Sequence, residues 1–192
     1  MGHSQAEKAE NRERILTEAS RQVRRDGLES VSVGTLMKSV GLTHGGFYGH
    51  FESRSALLAE ALERALMDGE ANAKAQGSDG LQSLSAIARS YLSRAHRDAR
   101  DSGCAMAALV SDVARGDTAS REVMSRHIEA FIASVSEALG GDQEEAVVAV
   151  SAMVGALALS RVAADPARSD AILKTVRDHL RARDGGDRWR GP

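Results

Sequence analysis

The sequence predicts an all-α protein, and three observations carry the prediction. Only two prolines, Pro166 and Pro192, interrupt 192 residues, so helices can run long. Aromatic residues make up 3% of the chain, too few to fill a β-sandwich or barrel. Leu, Ala and Val supply most of the apolar content, and they recur at spacings of three and four. The length suits one large domain or two small ones.

About nine helices follow in order. The first runs from about Ala6 to Asp26, with Ile15, Leu16, Ala19 and Val23 on one face and Gly27 as its stop. Ser32 is a good cap for a short helix, Val33 to Val40, buried through Val33, Leu36, Met37 and Val40. Gly41 ends it. Thr43 caps a third short helix, about His44 to His50. Ser53 caps a fourth, starting near Arg54 and continuing through Leu57, Leu58, Ala61, Leu62, Ala65 and Leu66.

Gly77-Ser78-Asp79-Gly80 is the clearest break in the chain. A fifth helix is expected from Leu84 to about His96, then a charged loop, Arg97 to Gly103. Ala105 to Ala114 and Thr118 to Leu139 follow, the latter striped by Val123, Met124, Ile128, Phe131, Ile132 and Val135. Gly140-Gly141 ends it. Gln143 to Ala163 is apolar on nearly every face, and Asp165-Pro166 stops it. Ala167 to Arg183 is amphipathic through Ile172, Leu173, Val176 and Leu180. The resulting organisation is a helical domain at 6–66, a second helical domain at 67–183 and a polar tail at 184–192.

Charge limits what such a protein does. Residues up to Leu66 hold nine Lys/Arg and nine Asp/Glu; the remainder holds 25 − 9 = 16 against 27 − 9 = 18, so it carries the whole net charge of −2. Any nucleic-acid contact must come from a local patch rather than from bulk charge. The single cysteine, Cys104, excludes an intramolecular disulfide and a cysteine-rich zinc site. The N-terminus lacks an apolar signal core, and Ala6 stands where a myristoylation signal needs Ser or Thr. The apolar run Ala146 to Leu159 falls short of the roughly 18–20 residues that span a bilayer. The reading is a cytoplasmic protein with no membrane partner.

The segment Leu42-Thr43-His44-Gly45-Gly46-Phe47-Tyr48-Gly49-His50-Phe51 carries the function. Two short helices joined by a tight glycine turn make a helix-turn-helix pattern, whose second helix enters the major groove. Phe47 and Phe51, four apart, face the core. Tyr48 and His50 fall on other faces and can donate to phosphate oxygens. Gly45, Gly46 and Gly49 make a poor free-standing helix, since each interior Gly costs roughly 1 kcal/mol against Ala. They let the backbone come close to a partner.

Thr43, Gly45, Tyr48-Gly49-His50-Phe51 and Arg54 together resemble the TetR/AcrR family of transcriptional regulators, over about the first third of the chain. The resemblance implies a DNA-binding surface at Thr43, His44, Gly45, Gly46, Tyr48, Gly49, His50 and Arg54. Thr43, Tyr48, His50 and Arg54 then hold phosphates. Gly46 and Gly49 replace side chains that other members use to contact DNA, which leaves His44 to read bases and shifts specificity toward DNA shape.

The resemblance also implies a homodimer on a near-palindromic double-stranded operator. Its interface is expected at Val147, Val150, Val154, Ala158, Val162, Ile172, Val176 and Leu180. An effector pocket is expected among the middle helices, from Tyr91, Cys104, Met106, Leu109, Val113, Met124, His127, Phe131 and Met153, with Ile87 and Val110 as further candidates. Most of these residues are equally well explained as plain core. The scarcity of aromatics favours a small or flexible apolar effector over a flat dye. Cys104, at the expected start of a helix, lies in a segment that resembles one from electrophile-responsive members of the family. It reads either as a sensor thiol or as a small buried residue.

Enzyme readings find no support. The sequence holds no Gly-x-Ser-x-Gly elbow, no His-Glu-x-x-His and no phosphate-binding Gly-x-x-x-x-Gly-Lys, and its six histidines show no ligand spacing. No cofactor and no metal are expected. The combined reading is a dimeric, effector-responsive repressor. The alternative is a helical small-molecule-binding or interaction protein whose DNA binding is weak or lost.

Overall fold

A computed structural model of the chain describes residues 5–75 and 83–184. The break at Gly77-Ser78-Asp79-Gly80 and nearly all of the expected tail lie outside them. The described residues form an all-α protein with nine α-helices and two short 3-10 segments. These are α1 (Gln5–Asp26), α2 (Val33–Ser39), α3 (Arg54–Ala75), α4 (Leu84–Tyr91), α5 (Arg94–Asp98), α6 (Ala105–Arg115), α7 (Thr118–Ala138), α8 (Gln143–Val162) and α9 (Pro166–Asp184).

Two of the expected elements take a different form. The third expected helix is a 3-10 segment, His44–Gly49, not an α-helix. Half of its six residues are glycine, which removes the propensity that would close α-helical bonds. The fifth expected helix is two helices. Leu92 ends α4, and Ser93 starts α5 by accepting a bond from the His96 N–H at 3.1 Å. The apolar period runs on through Ala95, so the break is invisible to periodicity.

The contacts group the chain into two compact units. One holds the described residues up to Gly69 together with Arg100–Ser125; the other holds Glu70–Ala99 with the described residues from Arg126 onward. Residues 100–125 lie inside the 67–183 segment of the sequence reading, yet they pack with the first unit. There α6 lies against α1 and against the 3-10 turn Leu28–Ser30. Asp112 of α6 accepts the Leu28 N–H at 3.3 Å. Gly27 allows this approach twice over. Its φ is +92°, and a Cβ there would sit 2.7 Å from the Asp112 carboxylate. Asp117 accepts from the Ser55 hydroxyl, and this bond, with that from the Ser120 N–H, holds its carboxyl below the usual range.

In the second unit α9 packs on both α8 and α4. Arginines from α8 and α9 grip the carbonyls at the α4–α5 corner. Arg161 donates to the carbonyls of Arg97 (3.1 Å) and His96 (3.2 Å), and Arg177 donates to that of Leu92 (3.3 Å). Inside this corner the half-buried His96 bonds through Nδ1 to the Tyr91 carbonyl at 2.7 Å. Burial pushes the His96 pKa down from its ordinary value, and nearby Arg161 pushes the same way. Helix α8 spans 20 residues and by length and composition alone is apolar enough to cross a membrane. Ala146, Ala149, Val150, Met153, Ala156, Leu157 and Ser160 are nonetheless buried, as in the core helix of a folded domain.

Candidate nucleic-acid interface

The segment 43–50 is a surface built over an aromatic anchor. Phe47 is fully buried and Phe51 nearly so, and their rings stack at 5.7 Å. The Arg12 guanidinium lies over the Phe51 ring, 4.8 Å from its centroid, while it pairs with Glu60 of α3. This anchor turns the other residues outward. Thr43, His44, Gly45, Gly46, Tyr48 and Gly49 are exposed, Tyr48 by 71%, and His50 is half-buried. Tyr48 stands edge-on to Phe47 at 5.2 Å, which steadies its ring while the hydroxyl end faces solvent.

The caps are more selective than the sequence reading. Ser53 takes its capping bond, accepting from the Ala56 N–H at 3.0 Å. Ser32 and Thr43 stand at cap positions without a side-chain capping bond. At Thr43 the reason is local, because the Gly46 N–H bonds to the Thr43 carbonyl at 3.0 Å. The Thr43 hydroxyl is therefore not engaged in capping.

The glycines are not demanded by the fold. A Cβ at Gly45 or Gly49 would meet nothing within 4 Å, and one at Gly46 would make ordinary contact with Thr43 and Met37. None of the three has a positive φ. Gly41, by contrast, has φ +73°, as the turn between the two short elements requires.

Arg54 has an employment that the sequence did not reveal. Its Nε donates to the Val31 carbonyl at 3.0 Å, and its Nη2 reaches the carbonyls of Leu28 (3.4 Å) and Glu29 (3.2 Å) and the Glu29 carboxylate (3.2 Å). It clamps the turn that leads into the helix-turn-helix. Arg14 does the same at the other end, donating to the Val40 carbonyl at 2.5 Å. No short-range signal marks either contact, since the partners lie about 25 residues away.

The expected effector residues divide between the two units. Met106, Leu109, Val113 and Met124 are buried in the first, and the half-buried Cys104 accepts from the Ala107 N–H at 3.3 Å as the cap of α6. Val110, a further candidate, is exposed instead of lining a core. In the second unit Tyr91 and Phe131 stack at 5.5 Å, Met153 is fully buried, and His127 pairs with Glu70 at 2.5 Å.

The expected dimer residues need correction at two positions. Val150 is 4% exposed and Leu180 is 1% exposed, so the single chain already covers both. Val147 and Val162 are exposed, and Val154, Ala158, Ile172 and Val176 are intermediate. Two exposed apolar residues, Val148 and Leu159, were not anticipated. Val148, Ser151, Gly155, Leu159 and Val162 follow one another at steps of three and four along α8, but its other faces are as apolar, so the spacing alone does not single them out.

An exposed segment on an aromatic anchor, preceded by a short helix and a glycine turn, is the arrangement of a helix-turn-helix. Residues 15–61 match the family described as bacterial regulatory proteins, tetR family. Over that stretch the chain is similar to TetR-family DNA-binding domains, and as a whole it has the fold of TetR-family regulators. A reduced form of E. coli NemR is similar over 90% of this chain and 96% of its own, at 21% identity and TM-score 0.73. A TetR-family regulator from Cytophaga hutchinsonii is similar over 95% and 98%, at 17% identity and TM-score 0.74. One from Agrobacterium tumefaciens is similar over 90% and 98%, at 18% identity and TM-score 0.72. The chain matches none of the curated proteins with which it was compared.

Proposed function

We propose that the protein is a homodimeric, effector-responsive repressor that binds a near-palindromic operator through residues 43–50. One observation carries this reading. Gly45 and Gly49 face open space on an exposed segment whose own fold does not need them. Their small size then serves an outside partner, and the partner that fits a helix-turn-helix is the DNA backbone. Thr43, Tyr48 and His50 offer hydrogen bonds to phosphates there. His44 is the side chain left to read a base edge. Arg54 contributes by fixing the turn that orients the segment. Such an interface holds DNA firmly and reads sequence chiefly through shape.

Dimerisation is supported by the bare apolar positions Val147, Val148, Leu159 and Val162 on α8. At Gly155 a Cβ would meet nothing within 4 Å, so a second helix could approach closely. Two protomers would then set their reading segments about one turn of DNA apart, roughly 34–36 Å. An effector that favours a different spacing would lower operator occupancy by its differential affinity for the two states.

Cys104 is the candidate site for a thiol-directed signal, because one similar structure is described as a reduced form. The test is its alkylation rate. A rate above that of free cysteine supports a sensor, and a rate no faster removes the idea.

A gel shift with the DNA beside the protein's own gene tests the main reading. A retarded band that weakens as salt rises is expected. A folded dimer that gives no band at low salt would favour a helical ligand-binding or interaction protein without useful DNA binding.

A further inference from the structure

A cleft in the second unit carries an inference independent of DNA binding. It lies between α4 and α9, holds about 690 Å³, and includes none of the residues expected to bind effector. That volume falls in the range of small-molecule sites, roughly 300–1,000 Å³. Four cations converge on it, Arg89, Arg94, Lys174 and Arg177, against one carboxylate, Asp170.

The carboxylate is already spent. Arg94 and Arg97 both bond to Asp170, at 2.5 and 2.8 Å. Lys174 pairs with Asp178 at 2.6 Å. Counting those outer partners too, with Asp98, which pairs with Arg97 at 2.7 Å, five cations (Arg89, Arg94, Arg97, Lys174, Arg177) face three carboxylates (Asp98, Asp170, Asp178), an excess of 5 − 3 = +2 in a chain of net charge −2. Arg177 is half-buried and ties one nitrogen to the Leu92 carbonyl, so its guanidinium is held in place before any ligand arrives. A fixed guanidinium fork suits a planar carboxylate. Between the cations the walls are short and apolar, from Ala167 and Ala171, over a floor closed by Leu92 and Leu173.

We infer that this cleft binds a small organic anion, with a carboxylate held by Arg89 and Arg177 and a short apolar body against the alanine wall. The probe is octanoate, titrated by calorimetry into the full-length protein without DNA, with octanol as its neutral counterpart. Octanoate should saturate at one per chain, weaken as salt rises, and bind at least tenfold more tightly than octanol. Arg89→Gln should weaken octanoate about tenfold while leaving the thermal melt unchanged. Arg177→Gln should weaken it as much, but it also removes the bond to Leu92, so its melt is read alongside. Equal binding of octanoate and octanol, no binding of octanoate, or wild-type affinity in Arg89→Gln would overturn the assignment. No DNA enters the measurement, so its outcome leaves the repressor reading untouched.

Discussion

At the scale of single residues, the glycines and Arg54 carry the most testable content. Since a Cβ at Gly49 meets open space and the local φ is not positive, Gly49→Ala should fold normally. It should be neutral or more stable by up to about 1 kcal/mol. DNA binding should nonetheless weaken, because the methyl would stand where the backbone approaches a phosphate. Thermal melting and fluorescence anisotropy on one preparation separate the two effects; wild-type affinity would rule out close approach at Gly49. Arg54→Ala should behave in the opposite way. Its guanidinium is committed to three carbonyls of the turn at 28–31, so the melting temperature should fall, by the equivalent of about 1–3 kcal/mol at most, given its partial exposure. The salt slope of DNA binding should stay as it was. A slope reduced by about one would return Arg54 to the phosphate contacts.

At the scale of elements, what was legible followed local rules, and what was not depended on distant partners. Gly27 and Gly41 marked helix ends because positive φ is a local demand. The α4–α5 break was hidden because its decisive contacts come from Arg161 and Arg177, over 60 residues away. The bare face of α8 was hidden for a different reason: a helix apolar all round gives no contrast between its sides. Only the structure separates buried Val150 from exposed Val148. Leu159→Glu tests that separation. Leu159 is 63% exposed in the single chain, so the charge costs the protomer little. Placed in a dimer interface it would be desolvated, and the dimer should dissociate by light scattering with helicity kept. A dimer that survives would move the interface elsewhere. The α4–α5 corner gives a pH prediction. The folded pKa of His96 lies below its unfolded value of about 6.5. Its contribution is therefore fully present above pH about 6.5 and is lost as pH falls through the lower folded value. Stability should decline in that acidic window, and His96→Gln should flatten the decline.

At the scale of the whole molecule, the unit that holds the helix-turn-helix does not end with its flanking helices. The sequence suggested a helical domain at 6–66, because the resemblance that marks the helix-turn-helix and its flanking helices stops there. Packing extends the unit to residues 100–125. That return was not legible, because α6 reads as an ordinary apolar helix and its dependence on α1 rests on Asp112 meeting the Leu28 N–H 84 residues earlier. The consequence is a prediction about fragments. A 1–69 fragment would lose α6, whose Leu109 and Val113 are almost fully buried. Each such side chain is worth about 1.5–3 kcal/mol on burial. It would also lose the Asp112 and Asp117 contacts to the turn at 27–28 and to the start of α3. Against a total stability of about 5–15 kcal/mol, and with a chain that short, the remaining core is marginal. The fragment should therefore show reduced helicity and a broad, non-cooperative melt by circular dichroism, and should fail to shift DNA that the full chain binds. A sharp transition near that of the full chain would mean that α1–α3 are self-sufficient and that α6 merely rests on them.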